Sequence, residues 1–466
     1  MALRTWLALP LLPAFAALGI VGACRGSAPD VPYDSGPPYV ATYHPLDSDG
    51  HVLRDASGRT VILRGYNVKV RGLFDGVWDG GPEILPTLDD ADFALMQASG
   101  VNVLRVPVNW NLFEPQQGTY DDSYLAAIDT FLDQVRPYGF YVLLDFHEDG
   151  WSKTLCEDGA ADWATVVSPG QDGGAPGADC HASNAALSAH QNFLQYDAKS
   201  LQEAFAAMYQ QFAAHFVNEQ LVFGYEIFNE PVAGDAFVDA FSIKLARTIR
   251  QVDPGHLILW EPSAYRNLLN GSFVSDASFP VAGGVYAVHI YTDAYGFAFP
   301  RSIANARTEA DSWGEPLFVT EHGASPVEGG PEGGLGWVSG ELDGFDQNLA
   351  SSMDWIWNPG VVTRSEAGAV IPTFGGSVLQ RLTRPYAMAV GGDVTQTTWD
   401  GATLTVGFTA HPGVPFTHDV YWNFGTPTVT CDGETLTGVV ADLARLVYTV
   451  TCGGGGSHTL VFTRGS

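Results

Sequence analysis

Positive charge is scarce in this chain. Over 466 residues, 22 Lys and Arg stand against 52 Asp and Glu, a formal net charge of −30, and only four of the basic residues are Lys. So acidic a protein repels polyanions, which argues against nucleic acid or an anionic bilayer surface as a charge-held partner. Cysteine is scarce too, five in all. No Cys-x-x-Cys and no paired histidine accompanies them, so the ligand spacing of a zinc site is missing and no metal is assigned. What the chain has is apolar mass: 46% of residues are hydrophobic and 12% aromatic, enough for a large core. The length allows two or three domains, although a (β/α)₈ barrel alone takes about 250 residues or more.

Residues 1–24, "MALRTWLALPLLPAFAALGIVGAC", carry one Arg, an apolar stretch broken by Pro10 and Pro13, and small residues before Cys24. The stretch is short for a transmembrane span and reads as an export signal. Its end, "VGAC", resembles the lipobox of bacterial lipoprotein signals. That resemblance implies an exported, membrane-anchored protein lipidated at Cys24, with residues 25–44 as a Pro-, Gly- and Ser-rich tether. Ordinary secretion with cleavage nearby is the alternative. In an oxidising compartment the remaining four cysteines are expected to pair. Of three connectivities the local one is expected, Cys156–Cys180 and Cys431–Cys452, because these pairs fall in different predicted domains.

Eight apolar runs end in polar residues: 61–70, 101–110, 141–149, 222–231, 257–263, 285–292, 317–324 and 351–358. Helical periodicity lies between them, clearest in "LQEAFAAMYQQFAAHFVNEQ" (201–220). Eight buried strands alternating with helices predict a (β/α)₈ TIM barrel over 45–381, with its chemistry at the carboxyl ends of the strands. From about residue 382 the pattern becomes short, alternating, Thr- and Val-rich runs broken by Gly, Asp and Pro, which predict a C-terminal β-sandwich domain over 382–466. No catalytic cluster is visible there.

The fourth run, "VFGYEIFNEP", ends in Glu230, and the seventh, "LFVTEHGA", in Glu321. Strands four and seven face each other across a barrel mouth. Two carboxylates there can flank a glycosidic bond, one as a proton donor of raised pKa and the other as an ionised nucleophile. By composition alone other acidic strand ends, such as Glu261 after Trp260, compete for these roles, whereas Glu226 is expected to point elsewhere or to pair within the barrel.

"GYEIFNEP" and "VTEHG" resemble the two catalytic signatures of glycoside hydrolase family 5. Within it, "LLDFHEDGWSKTLCEDGAADWATV" is similar to a loop of the endoglycoceramidase-like group, and the likeness covers most of residues 45–466, including "RPYAMAVGG". The chain departs from the group at Glu148, usually Gln, and at Phe193, often Trp. The resemblance implies a retaining hydrolase that cleaves the β-glycosidic bond between glycan and ceramide of glycosphingolipids, with no cofactor. Glu230 then resembles the acid/base and Glu321 the nucleophile. Asn229 looks like the residue that binds the sugar 2-hydroxyl, and Arg105 like the cation that keeps the nucleophile ionised. Asp145 and His147 match sugar-binding positions. His289 and Tyr291 fit the sixth-strand positions near the catalytic pair, and Lys69 reaches substrate hydroxyls. Trp355 is the expected stacking floor for the sugar, with Trp357 one register away as its rival.

A glycolipid or oligosaccharide is therefore the expected partner and the protein is expected to be a monomer. An apolar patch from Phe74, Val77, Trp78, Phe297 and Phe299, together with Cys24, would favour membrane association. The alternatives are another family 5 enzyme acting on a β-glucan, mannan or simple β-glucoside, and a non-catalytic surface carbohydrate-binding lipoprotein.

Overall fold

The computed structural model describes residues 46–465 other than 79–80, 84, 86, 172–179, 182, 270–278, 292–298, 324–339, 358–378 and 380–381. The leader, Cys24 and the tether lie outside the described residues, as does Phe297. No described helix is long and apolar enough to cross a membrane.

All eight apolar runs form the parallel strands of one closed barrel: β1 (Arg64–Asn67), β2 (Val103–Val108), β3 (Tyr141–Phe146), β4 (Val222–Glu226), β5 (Leu257–Trp260), β6 (Gly284–Tyr291), β7 (Leu317–Gly323) and β8 (Ser351–Asp354). They read as nearly continuous apolar segments because both faces are covered, outside by helices and inside by one another. The barrel interior is stratified. Val103, Leu143, Phe223, Leu259, Ala287, Phe318 and Met353 fill its lower layers. Two residues further along β2 and β3, on the same inward face, come Arg105 and Asp145, which begin a polar layer beneath the mouth. Outside, the helix Leu201–Phe216 buries Leu201, Phe205, Met208, Tyr209, Phe212 and Phe216 at three- and four-residue spacing against the sheet.

Beyond the barrel, two antiparallel sheets enclose a core that includes Val390, Phe408, Val420, Trp422, Val450 and Phe462. One of these sheets also contains the strands Asp47–Asp49, Val52–Arg54 and Thr60–Val61, which precede β1 in the chain. Val61 pairs with Ala389 and Thr60 with Val390. Residues 47–61, expected in the barrel, are thus paired with the C-terminal strands. The tyrosine hydroxyls of Tyr386 and Tyr421 bond the carbonyls of Gly100 (2.7 Å) and Ala98 (2.7 Å), fastening this sheet to the barrel. Gly100 has φ +83° and packs so closely on the Tyr421 ring that a Cβ would lie 2.6 Å from it, so only glycine suits the position.

Both expected disulfides are present, Cys156–Cys180 within the barrel loops and Cys431–Cys452 in the C-terminal region.

Candidate active site

The polar layer is organised by Arg105, which is wholly buried. Its Nε donates to Glu226 Oε2 (2.5 Å), Nη1 to Asn67 Oδ1 (2.9 Å) and Glu321 Oε1 (2.5 Å), and Nη2 to Asn229 Oδ1 (2.7 Å). Asp145 Oδ2 lies 3.0 Å from Nη2. A planar guanidinium has enough fixed donors to hold this many acceptors at once, which a lysine could not do. Glu226 also accepts from Thr320 Oγ1 (2.8 Å) and is buried, so it pairs within the barrel and does not reach the mouth.

Above this layer stand the two carboxylates at the ends of β4 and β7. Glu321 is gripped by Arg105 on Oε1 and by the Tyr291 hydroxyl on Oε2 (2.6 Å). These two hydrogen bonds hold both of its oxygens, one of them against a permanent cation. Glu230 sits where the strand has ended, with φ +40°, and its amide donates to Glu261 Oε1 (3.1 Å). Its Oε1 meets His289 Nδ1 at 2.7 Å, and the same nitrogen is 3.5 Å from Glu321 Oε2. Oxygens of Glu230 and Glu321 lie within 4.8 Å of each other.

The environments of the two acids differ. Burial, and next the Asp149 charge, push the Glu230 carboxyl up to about 7, against the opposing charge of Arg105. Its side chain keeps 36% exposure, open to the mouth. Burial pushes Glu261 well above the usual carboxylate range, reinforced by Glu226 and Glu230. Burial also pushes His289 down, and takes His147 down to about 4. Both imidazoles are therefore neutral at neutral pH, able to donate from one nitrogen and accept at the other.

His147 stacks on Trp355, ring centroids 5.2 Å apart at 10°. Lys69 Nζ lies 5.1 Å from the Trp355 ring and is held by both oxygens of Glu83 (2.9 and 3.0 Å). Trp355 is the partly open ring. Trp357 is buried, donates to Asp92 (3.2 Å) and packs edge-on to Tyr66.

Three expectations change. Asp145 is completely buried, meets Arg105 and the His147 Nδ1 (2.7 Å), and reaches no open position, so it orients these side chains and does not face a sugar. Phe193 is a core residue among Trp110, Trp151, Phe205, Phe228 and Phe241. Phe74 is buried under Lys69 and against His147, and Phe299 is buried against Phe345, so neither adds to an exposed patch. Val77 is half-buried in a short hairpin with 81–82. The reading of the sequence missed Asn67 and Asp149. Asn67 closes the "GYN" of β1 just as the other site residues close their strands, and Asp149 follows His147 at the same two-residue interval that separates His147 from Asp145.

Two groups, Glu226–Glu261–His289 and Glu230–His289–Glu321, have ligand atoms close enough to share a cation. In both, the neighbouring Arg105 already supplies positive charge.

A barrel whose mouth pairs a carboxyl of raised pKa with a second one bound to a fixed guanidinium is the frame of a glycosyl hydrolase. The family model described as cellulase (glycosyl hydrolase family 5) matches residues 54–361, and the chain belongs to that family. Among individual proteins, endoglycoceramidase I of Rhodococcus hoagii is 24% identical over 455 residues, covering 90% of this chain and 88% of the relative. The endoglycoceramidase of Cyanea nozakii is 28% identical over 249 residues, covering 45% of this chain and 49% of that protein, so the match spans about half of the relative's length. Endo-glycoceramidase II from Rhodococcus sp., solved as a lactosyl-enzyme intermediate, superposes with a TM-score of 0.73 at 21% identity, over 89% of this chain and 100% of that one.

Proposed function

We propose that the protein is a retaining endo-glycosidase that cleaves the β-glycosidic bond between glycan and ceramide of glycosphingolipids. The observation that carries the reading is the Glu230–Glu321 pair, with oxygens within 4.8 Å and unlike environments. Retaining enzymes hold their carboxyl groups about 5 Å apart, whereas inverting ones leave room for a water between them. In this reading Glu321, held in place by Arg105 and Tyr291, attacks the anomeric carbon while Glu230 gives its proton to the departing oxygen. Glu230, now a carboxylate, then takes a proton from the water that opens the glycosyl-enzyme, and both acids return to their starting states. Asn229, fixed through Arg105 and through its own donation to the Glu148 carbonyl (2.8 Å), offers a sugar contact beside the acid. Trp355 offers the face on which the sugar rests.

The lipid aglycone is supported by the named relatives. It is also supported by exposed aromatic side chains, Phe237 (40% exposed) and Tyr265 (38%), on the segments that follow β4 and β5 at the mouth end of the barrel. Export and lipidation at Cys24 complete the proposal, resting on "VGAC" and the tether after it. The rival activity is hydrolysis of a β-glucan, which the family description favours. Incubation with lactosylceramide, ganglioside GM3, cellulose oligomers and mannan separates them. Intact glycan released from the lipids supports the proposal, and products from the polysaccharides alone refute it. NMR of the fresh product must show the β-anomer.

A further inference from the structure

The segment after β4 stays bonded to its neighbours up to Asn229. The Ile227 amide donates to the Leu259 carbonyl of β5 (3.1 Å) and the Asn229 amide to the Phe146 carbonyl of β3 (3.1 Å). At Glu230 a side chain takes over from the backbone: its amide donates to Oε1 of Glu261 (3.1 Å), the residue that follows β5. Glu230 has φ +40°, a left-handed conformation that is costly for a residue with a Cβ and persists only where the surroundings hold it. Glu261 is itself well fixed. Its side chain has no exposed surface, and its loop is tied to that of Glu230 by the Ala264 amide on the Pro231 carbonyl (2.9 Å) and the Ser263 hydroxyl on the Ala233 carbonyl (2.5 Å). The same Glu261 Oε1 stands 3.4 Å from His289 Nε2, in contact but without a hydrogen bond. The other ring nitrogen of His289, Nδ1, meets Glu230 Oε1 at 2.7 Å. Glu261 and His289 thus stand against each other and hold the two ends of one residue, Glu261 its amide and His289 its carboxyl.

We propose that Glu261 is a positioning residue for the proton donor: by accepting the Glu230 amide and backing His289, it aims the Glu230 carboxyl at the departing glycosidic oxygen. This rests on the reading of Glu230 as the acid. A carboxyl offers an oxygen to an amide whether or not it holds a proton, so the grip on the backbone does not depend on how Glu261 titrates. Without that acceptor the Glu230 backbone is free to relax from φ +40°, and rotation there carries the carboxyl with it. Because the Glu261 side chain is sealed from the mouth, its effect on the reaction passes through Glu230 and His289.

The test compares two leaving groups on the full-length enzyme: lactosylceramide, whose alkoxide needs a proton, and dinitrophenyl β-lactoside, whose phenolate leaves without one. On both, kcat/KM reports the first chemical step. Glu261→Leu removes the acceptor at similar volume. Its kcat/KM is expected to fall about 10²-fold on the lipid, the cost of a reacting group displaced by about 1 Å, and by no more than about twofold on the aryl lactoside, which needs no acid. Glu261→Gln keeps an acceptor for the amide and should leave both rates close to wild type. The double variant Glu230→Gln/Glu261→Leu should be no slower on the lipid than Glu230→Gln alone, because the proton that Glu261 helps to aim is already gone. Thermal unfolding checks that each variant is folded. Should Glu261→Leu not fold, Glu261→Asp, whose shorter side chain withdraws the oxygen from the amide, is read by the same criteria. A merely structural role predicts equal losses on the two substrates and losses that multiply in the double variant, and either result overturns the proposal. Wild-type rates in Glu261→Leu overturn it too, as does a Glu261→Gln that is as slow as Glu261→Leu. Glu230→Gln separates the two levels. If its loss is far larger on the lipid while that of Glu261→Leu is not, only this inference falls, and if Glu230→Gln loses equally on both, the reading of the acid falls with it.

Discussion

Replacing Glu230 by Gln keeps the size of the side chain and a hydrogen-bonding partner for His289, and removes the transferable proton. With the carboxyl at about 7, half of the wild-type enzyme holds that proton at pH 7 and about one-tenth at pH 8. If Glu230 is the proton donor, the protonated form is the active one, so kcat/KM is expected to be complete well below pH 7 and to fall roughly tenfold per unit above it. An ordinary glutamate at 4.5 would leave well under about 1% of the enzyme competent at neutrality, so the surroundings of the site, not the residue alone, set the working range. On lactosylceramide, whose alkoxide leaves poorly, Glu230→Gln should cost about 10²–10⁴ in kcat/KM, the usual worth of general acid catalysis. On an aryl lactoside, which leaves readily, the loss in the first step should be far smaller. Glu230→Ala should accumulate glycosyl-enzyme with the aryl substrate, and azide should restore turnover and yield a β-glycosyl azide. Stopped-flow release of the aryl group and product NMR provide the assays. Equal losses on both substrates would refute the assignment, as would an inverted azide product.

Glu321→Ala should abolish formation of the glycosyl-enzyme on every substrate, and mass spectrometry with a 2-fluoro glycoside should find label on wild type and none on the variant. Asp354 is 2% exposed, neither of its oxygens has a hydrogen-bond partner among the described residues, and burial pushes it up to about 8. Its folded pKa exceeds the unfolded one, so the stability it confers is complete below about pH 4 and is lost as pH rises towards 8. Asp354→Asn should match wild type in thermal unfolding near pH 4 and exceed it increasingly up to pH 8; a constant gap would refute this. Phe193→Ala should destabilise by about 3–5 kcal/mol in denaturant titration, whereas a raised KM with unchanged stability would return Phe193 to the substrate site. Wild type made in a bacterial host with lipoprotein processing should partition into detergent and Cys24→Ser into the aqueous phase; equal partitioning would leave plain secretion.

The barrel was legible because strands covered on both faces leave a run of apolar residues with a polar end, and all eight runs do so. The carboxylate pair was legible because its signatures are local. Depth was not. Asp145, His147 and Asp149 share the two-residue inward period of a strand and its continuation, and nothing in that period says that the first is sealed beneath Arg105 while the last stands at the rim. The same ambiguity left Glu226 either pointing elsewhere or pairing within the barrel, and its bonds to Arg105 and Thr320 decide for the second. Exposure of the loop aromatics was equally illegible, because Phe74 and Phe299 are buried by partners on other loops and helices. The pairing of residues 60–61 with 389–390 left no trace, since hydrogen bonding between distant backbone segments imposes no periodicity on either.

That last pairing also governs how the chain can be made. Thr60, bonded to the carbonyl of Gly392, is separated from it by 332 positions. At about 5–20 residues per second, the opening strands would wait many seconds for their neighbours to emerge, with their backbone edge uncovered meanwhile. A nascent chain stopped after the barrel would therefore be left with an orphaned strand edge at its front, a ready seat for a chaperone or for another unfinished copy. The first strands of the sheet are therefore completed only when the last of its residues have been made.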